Sequence, residues 1–397
     1  MRLMETETFA SVQDWPGRVG YRGRGVSPSG AVDDIAYRAA NLLVGNIIGD
    51  FTGRPVGDAC LEISGGLFKA EFTEETVIAL SGADMEPTLN DVPVPMWETI
   101  RVHKGDVVSL GTIKGPGFTA YLTSAGGIDV PVLWGSRSTC IKENYGGFKG
   151  RPLQKGDELK LGKPKRKLDE LEGRRFNKDL LLPYDERIWR LRATPGPKSD
   201  YFTEEGMDMW FSKPMQIDHN SSRYAYRLRN EKPLFSRKSG GAGGVHPSFV
   251  ILEAYRDPGC LNVCGDYAII LFRDCVAVGG YACALTIINA DLWKLGQAVP
   301  LRDYVQFVYC TPEEARQAFI ERDALFDEET AIEKCPPFIL RRREEKIIDR
   351  GLVEVEAKRV LSPMPSLVAR VVVKEGDEVR KGDIVAVLNV MKMEINV

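Results

Sequence analysis

Val390-Met391-Lys392-Met393-Glu394 sets one lysine between two methionines, just behind a series of short apolar segments. Those segments are Leu367-Val368-Ala369-Arg370-Val371-Val372-Val373, a turn at Lys374-Glu375-Gly376-Asp377, a second turn at Lys381-Gly382-Asp383, and Ile384-Val385-Ala386-Val387-Leu388. Apolar, β-branched runs broken by Gly-Asp turns read as hairpins of a small barrel. An amine on a projecting turn between such strands suits a group carrier, which several catalysts must reach in succession. A lone Met-Lys-Met fits an ordinary solvent-facing lysine equally well. The long lead-in from Leu361-Ser362-Pro363-Met364-Pro365 separates the two readings.

Outward from this stretch, 397 residues imply two or three domains with ample material for a core. The 53 Lys and Arg nearly balance the 56 Asp and Glu, which argues against a nucleic-acid partner. Met1-Arg2-Leu3-Met4-Glu5 opens no apolar leader, and no later run is long and apolar enough for a spanning helix, so no membrane partner is expected. The 8 cysteines are scattered without zinc spacing. They read as small buried residues of a reducing compartment, which places the protein in the cytoplasm and implies no metal.

Residues 1–162 carry many short strands set off by glycine, with one helix expected from Asp33 to Val44 on the apolar face Ile35, Ala36, Ala39, Ala40, Leu42 and Leu43, and Ser29-Gly30-Ala31 offering its start. The turns Lys104-Gly105-Asp106 and Lys155-Gly156-Asp157 each precede a strand-like run, as in two barrel-like units or two edges of one barrel. Residues 163–190 are mostly charged and are expected to form a linker. Residues 191–326 resume the strands, at Pro214 to Ile217, Tyr267 to Phe272, Tyr281 to Ile288 and Tyr304 to Tyr309. Helices are expected from Thr203 to Phe211 and from Pro312 to Phe326. Residues 327–359 read as a solvated tether and 360–397 as the carrier.

Two glycine-rich stretches stand out. Ser11 to Ala31 has Gly17, Gly20, Gly23, Gly25 and Gly30 among mostly polar residues, which leaves backbone N–H groups for an anionic or carbonyl oxygen, or else makes a turn-rich rim. Ser239-Gly240-Gly241-Ala242-Gly243-Gly244 lacks the Gly-Lys-Ser/Thr of a phosphate loop and reads better as a loop closing over a substrate. Beside it, His246 is either a general acid/base or a histidine bonded to a backbone carbonyl. Arg223 either clamps a carboxylate bidentately or faces outward from a strand. Asp129 and Asp274 read as turn residues only.

The segment 360–397 resembles a biotinyl carrier domain, with Lys392 at the position of the biotinylated lysine and Met391 and Met393 flanking it. Residues 1 to about 315 resemble the carboxyltransferase module of urea carboxylase, a family that includes a 5-oxoprolinase subunit once called allophanate hydrolase subunit 2. The matching motifs are Ser11 to Asn46, Ser81-Gly82-Ala83-Asp84, Gly126-Gly127-Ile128-Asp129, Gly135-Ser136-Arg137-Ser138-Thr139, Gly146-Gly147-Phe148-Lys149-Gly150-Arg151, Gly240 to Ser248, Val278-Gly279-Gly280-Tyr281 and Ala290 to Gln297. The resemblance implies a mainly β chain of two cyclophilin-like β-barrel subdomains plus a C-terminal biotinyl/lipoyl-type barrel. A barrel of that type has about half its length after the biotin lysine, so the barrel is expected to be incomplete at Val397 and residues 360–397 poorly packed or held by neighbours.

The activity so implied is transfer of CO2 from carboxybiotin on Lys392 to a small amide or urea-like substrate. The implied partners are a biotin carboxylase subunit, a second carboxyltransferase module and a biotin protein ligase. Expected pocket residues are Arg18, Ser27 and Ser29 from the first rim and Arg223, His246 and Ser248 from the second. Departures at Tyr224, Ala225 and Phe249-Val250-Ile251-Leu252, where relatives carry smaller or polar residues, imply a substrate bulkier or less polar than urea. A biotin-independent amidohydrolase subunit of the 5-oxoprolinase type and a non-catalytic carrier or docking subunit are the alternatives.

Overall fold

The longest buried helix explains the rest of the N-terminal half. Asp33 caps it, its carboxylate accepting from the Ala36 N–H at 3.0 Å, and all ten residues of Asp34–Leu43 are buried. Alanines at 36, 39 and 40 let the helix lie close on the strands Thr76–Gly82 and Thr119–Ser124, where the Ser81 hydroxyl donates to the Ala36 carbonyl. The computed structural model describes residues 1–6, 9–184, 187–250, 257–275, 280–340, 367–371, 373, 386–390 and 393–396. It divides into residues 1–339 and 340–397.

Two five-stranded sheets build the first half. One runs Arg2–Thr6, Phe68–Glu71, Val107–Leu110, Thr88–Leu89 and Val92–Pro93. The other runs Phe9–Gln13, Cys60–Ser64, Thr119–Ser124, Thr76–Gly82 and Thr99–Val102. Both sheets are antiparallel throughout.

The second half closes into a seven-stranded barrel in the order Ile188–Pro195, Ala282–Ile287, Cys260–Cys264, Tyr267–Leu271, Ala225–Arg229, Met215–Ile217 and Tyr304–Tyr309. The last strand returns parallel to the first; the other pairs are antiparallel. Trp189, Leu191, Leu261, Val263, Ile270 and Phe307 fill it. Trp189 is satisfied there by donating its indole N–H to Asp303 at 3.0 Å.

Gln297, at the end of the helix Leu292–Gln297, joins the halves. Its carbonyl oxygen accepts from the Phe118 and Thr119 N–H groups, and its amide donates to Asp33 at 2.7 Å and to the Thr119 carbonyl at 2.9 Å.

The expected linker over 163–190 is instead part of the fold. Helix Leu168–Leu171 and strand Arg174–Phe176 bury Leu171 and Phe176 completely, and that strand pairs with Ile332–Lys334 from the expected tether. The charges that suggested a solvated linker converge on one carboxylate: Glu328 accepts from Arg166 and from the buried Arg174. The strand-like runs and the helices Glu204–Ser212 and Pro312–Ala324 lie within a few residues of their expected bounds. Six of the eight cysteines are buried and none is joined in a disulfide. Among the described residues no helix is long and apolar enough to cross a membrane, and no acidic, histidine and cysteine cluster could hold a metal.

The C-terminal part forms a three-stranded antiparallel sheet with Ala386–Val390 in the middle, between Leu367–Val371 and Met393–Asn396. Its side-chain packing, the subject of the expectation for 360–397, lies outside the described residues, as do residues 341–366 of the tether and carrier start.

Candidate active site

A cavity of about 360 Å³ opens between the second sheet and one end of the barrel. Register builds its inner wall: Ser11, Glu62 and Tyr121 are aligned neighbours across three strands and so share a face. Ser11 and Glu62 line the cavity, and the Tyr121 hydroxyl donates to Glu62 at 2.8 Å. The Val32 N–H donates to the same Glu62 oxygen at 2.8 Å. Burial holds the Tyr121 hydroxyl well above its ordinary pKa, so it stays a donor.

Arg223 faces this wall from the barrel side. Its Nη1 donates to Glu62, its Nε to Asp274 at 3.1 Å, and its Nη2 to Asp274 at 3.3 Å and to the Gly30 carbonyl at 2.7 Å. The loop carrying Asp274 is fixed by backbone bonds from Asp274 N to Arg223 O and from Phe272 N to Tyr224 O, which extend the barrel hairpin. Gly30 has φ +92°, and a Cβ there would sit 3.0 Å from the Pro16 carbonyl, so only glycine turns its oxygen so closely toward the arginine. Burial on its own would lower the Arg223 pKa, but the Asp274 and Glu62 charges outweigh it and hold it above the ordinary value. Tyr224, Tyr226, Phe118 and Phe272 supply apolar walls, and Lys142 sits at the lip with its ammonium 3.4 Å from the Tyr224 ring centroid.

Of the expected pocket residues only Arg223 lines the cavity. Its guanidinium is already shared between two carboxylates and a carbonyl, so it organises the site and is not an open clamp. Ser27 and Ser29 stand one step behind. The Ser27 hydroxyl donates to the Asp274 and Cys275 carbonyls at 3.2 and 3.1 Å, and the Ser29 N–H donates to the Arg273 carbonyl. Arg18 is buried by the first rim, donates to the Ser138 carbonyl at 2.6 Å and stacks on Tyr145, whose hydroxyl donates to the Ser27 carbonyl.

His246 and Ser248 form a separate cluster. The His246 Nδ1 lies 2.8 Å from the Ser248 hydroxyl and accepts from the Ser248 N–H, while its Nε2 lies 3.5 Å from Asp266. The fully buried Ser248 hydroxyl also accepts from the Gly265 N–H. The glycine-rich loop makes a short turn at Gly241–Gly243, and Phe249 packs on His246 and Tyr281. Neither Phe249 nor Val250 lines the cavity; Ile251 and Leu252 lie outside the described residues.

Sequence reasoning missed Glu62 and took Asp274 for a turn residue. The signal for Glu62 was present, since a carboxylate inside the otherwise apolar Cys60-Leu61-Glu62-Ile63 must find a cation or several donors.

In the C-terminal sheet Val390 pairs with Met393, and the two residues connecting them in sequence are Met391 and Lys392. Lys392 itself lies outside the described residues, as do Met391 and the side chain of Met393. A two-residue connection holding a lysine between paired strands fits a covalent acyl attachment, so this segment is suited to biotin.

The fold is thus a two-sheet module joined to a closed barrel, with a buried carboxylate–arginine cluster lining the cavity between them. Residues 24–309 match the family described as carboxyltransferase domain, subdomain A and B, and the chain belongs to that family. Residues 358–397 match the family described as biotin-requiring enzyme, so this is an enzyme whose cofactor is covalently attached biotin.

The urea amidolyase of Lachancea kluyveri is 36% identical over 368 residues, covering 89% of this chain and 19% of that protein. A 5-oxoprolinase subunit of Escherichia coli is 33% identical over 335 residues, covering 83% of this chain and 97% of that one. The crystal structure of the Kluyveromyces lactis urea carboxylase superposes with a TM-score of 0.73 at 35% identity, over 84% of this chain and 30% of that one. The chain thus spans about a fifth of the length of the urea amidolyase.

Proposed function

We propose that the chain is the carboxyltransferase subunit of a biotin-dependent carboxylase, with biotin on Lys392 and a small amide or urea-like acceptor bound in the Glu62–Arg223–Asp274 cavity. The observation that carries the reading is that cavity, a 360 Å³ space whose polar end is fixed by six hydrogen bonds to Glu62 and Arg223 or from them.

Biotin attached at Lys392 would supply the activated carboxyl group that the acceptor nitrogen takes up. The chain's own residues orient and shield. Asp274 and Glu62 keep unused lone pairs to accept acceptor N–H groups, and Arg223 holds both carboxylates in place. The aromatic walls exclude water and hold the acceptor for an effectively unimolecular encounter. Arg18, Ser27 and Ser29 act as positioning residues behind Asp274, and His246 with Ser248 braces the adjoining loop.

The partners in this reading are a biotin carboxylase, a second carboxyltransferase module and a biotin protein ligase, all in the cytoplasm. The similarity along nearly the whole of the Escherichia coli 5-oxoprolinase subunit supports one other reading, a hydrolase subunit that uses the same cavity without Lys392.

The test is the intact mass of the full-length gene product made beside a biotin ligase, in the natural sequence and as Lys392→Arg. One biotin, lost in the variant, supports the proposal. No added biotin sinks it and leaves the hydrolase reading.

A further inference from the structure

The polar end of the cavity holds an unequal set of charges. Glu62 and Asp274 are both nearly fully buried, and one guanidinium, that of Arg223, stands between them. The Nε–Nη2 edge of Arg223 is taken by Asp274, and the Nη1–Nη2 edge is divided between Glu62 and the Gly30 carbonyl. Neither edge is open to the bidentate grip by which arginine recognises a carboxylate.

The hydroxyls of the lining, among them Ser11, Ser64, Thr119 and Ser222, are neutral and offset neither carboxylate charge. Thr119 donates to the Gly296 carbonyl, and the Ser64 hydroxyl pairs with Thr119 at 2.9 Å. Acceptor lone pairs remain on Asp274 and on the Glu62 oxygen facing Arg223, since each of those oxygens has a single donor among the described residues. The other cation of the lining, Lys142, is exposed at the lip, where water and salt screen it.

We propose that this cavity admits acceptors with an uncharged or cationic N–H head and turns away those that carry a carboxylate, with Glu62 and Asp274 as the selecting groups. The inference rests on the cavity being the acceptor site. Apolar substituents are tolerated because Tyr224, Tyr226, Phe118 and Phe272 line the rest of the space. Removing one carboxylate charge equalises the cluster, so Asp274→Asn or Glu62→Gln relaxes the exclusion.

The test compares N-isobutylurea with ureidoacetate, which has the same shape but ends in a carboxylate. Binding of each to the full-length protein is read by ligand-observed NMR without ATP, and carboxyl transfer to each is measured separately with the biotin carboxylase partner. Isobutylurea is expected to bind at least about 100-fold more tightly, the size of a like-charge repulsion at this range. In Asp274→Asn and Glu62→Gln the gap is expected to shrink to less than about 10-fold through gain of ureidoacetate binding. Equal binding of the two ureas by the natural protein, or binding of neither, overturns the proposal even if either variant fails to fold. Charge-ordered binding with no transfer to any acceptor leaves the charge selection of the cavity standing and refutes the proposed function.

Discussion

Replacing Arg223 with glutamine separates an organising arginine from a ligand clamp. In the folded protein Glu62 and Asp274 are about 2–3% exposed and Arg223 about 16% exposed, so the cluster is largely cut off from water. Removing the cation leaves two buried carboxylates facing each other across one amide. Breaking a buried ion pair from one side costs about 3–5 kcal/mol, because the remaining charge is left unpaired. Arg223→Gln is therefore expected to lose about that much stability in guanidinium chloride unfolding followed by tryptophan fluorescence. The triple variant Arg223→Gln/Glu62→Gln/Asp274→Asn should recover most of the loss, since no charge then remains to be paired. A loss below about 1 kcal/mol, or a triple variant no better than the single one, would refute the reasoning and return Arg223 to the role of an exposed, available clamp.

Three further outcomes are expected. Burial raises the Asp33 carboxyl to about 7, so the folded chain keeps a proton that the unfolded chain gives up near pH 4. Stability should then fall as pH rises from about 4 to about 7, by up to about 4 kcal/mol, and Asp33→Asn should flatten that slope in a pH series of unfolding curves. Gln297→Ala removes four bonds between the barrel helix and the Phe118–Thr119 backbone and Asp33, and takes the partner from one buried and one half-buried N–H group. It is expected to cost about 2–4 kcal/mol, read as a lowered thermal midpoint. His246→Ala should change kcat for carboxyl transfer less than about threefold, because His246 faces Asp266 and not the cavity; a loss of 100-fold or more would make it a general acid/base of the reaction.

Local signals in the sequence were strong where one residue type has one use. Thr203 announces a helix start and alternating apolar runs such as Tyr304–Tyr309 announce barrel strands, whereas the first helix is capped by Asp33 and not by Ser29-Gly30-Ala31. Long-range pairing left no such trace. Arg166 and Arg174 look like solvated charges until Glu328, some 150 residues later, is seen to collect them. The same limit hid the site. Arg223 stood out as a cation, but its partners come from a different sheet and a different loop, and only the register Ser11–Glu62–Tyr121 brings the carboxylate to it. His246 stood out as the histidine beside the glycine-rich loop, yet neither it nor its partners Ser248 and Asp266 line the cavity.

The most direct measurement is transfer of label from bicarbonate, with ATP and the biotin carboxylase partner, into an added urea or amide. It compares the full-length protein with its Lys392→Arg variant. Labelled carboxylated acceptor from the natural protein and none from the variant is the expected result. Labelled product from Lys392→Arg, or none from a fully biotinylated natural protein with any neutral N–H acceptor, would contradict the account.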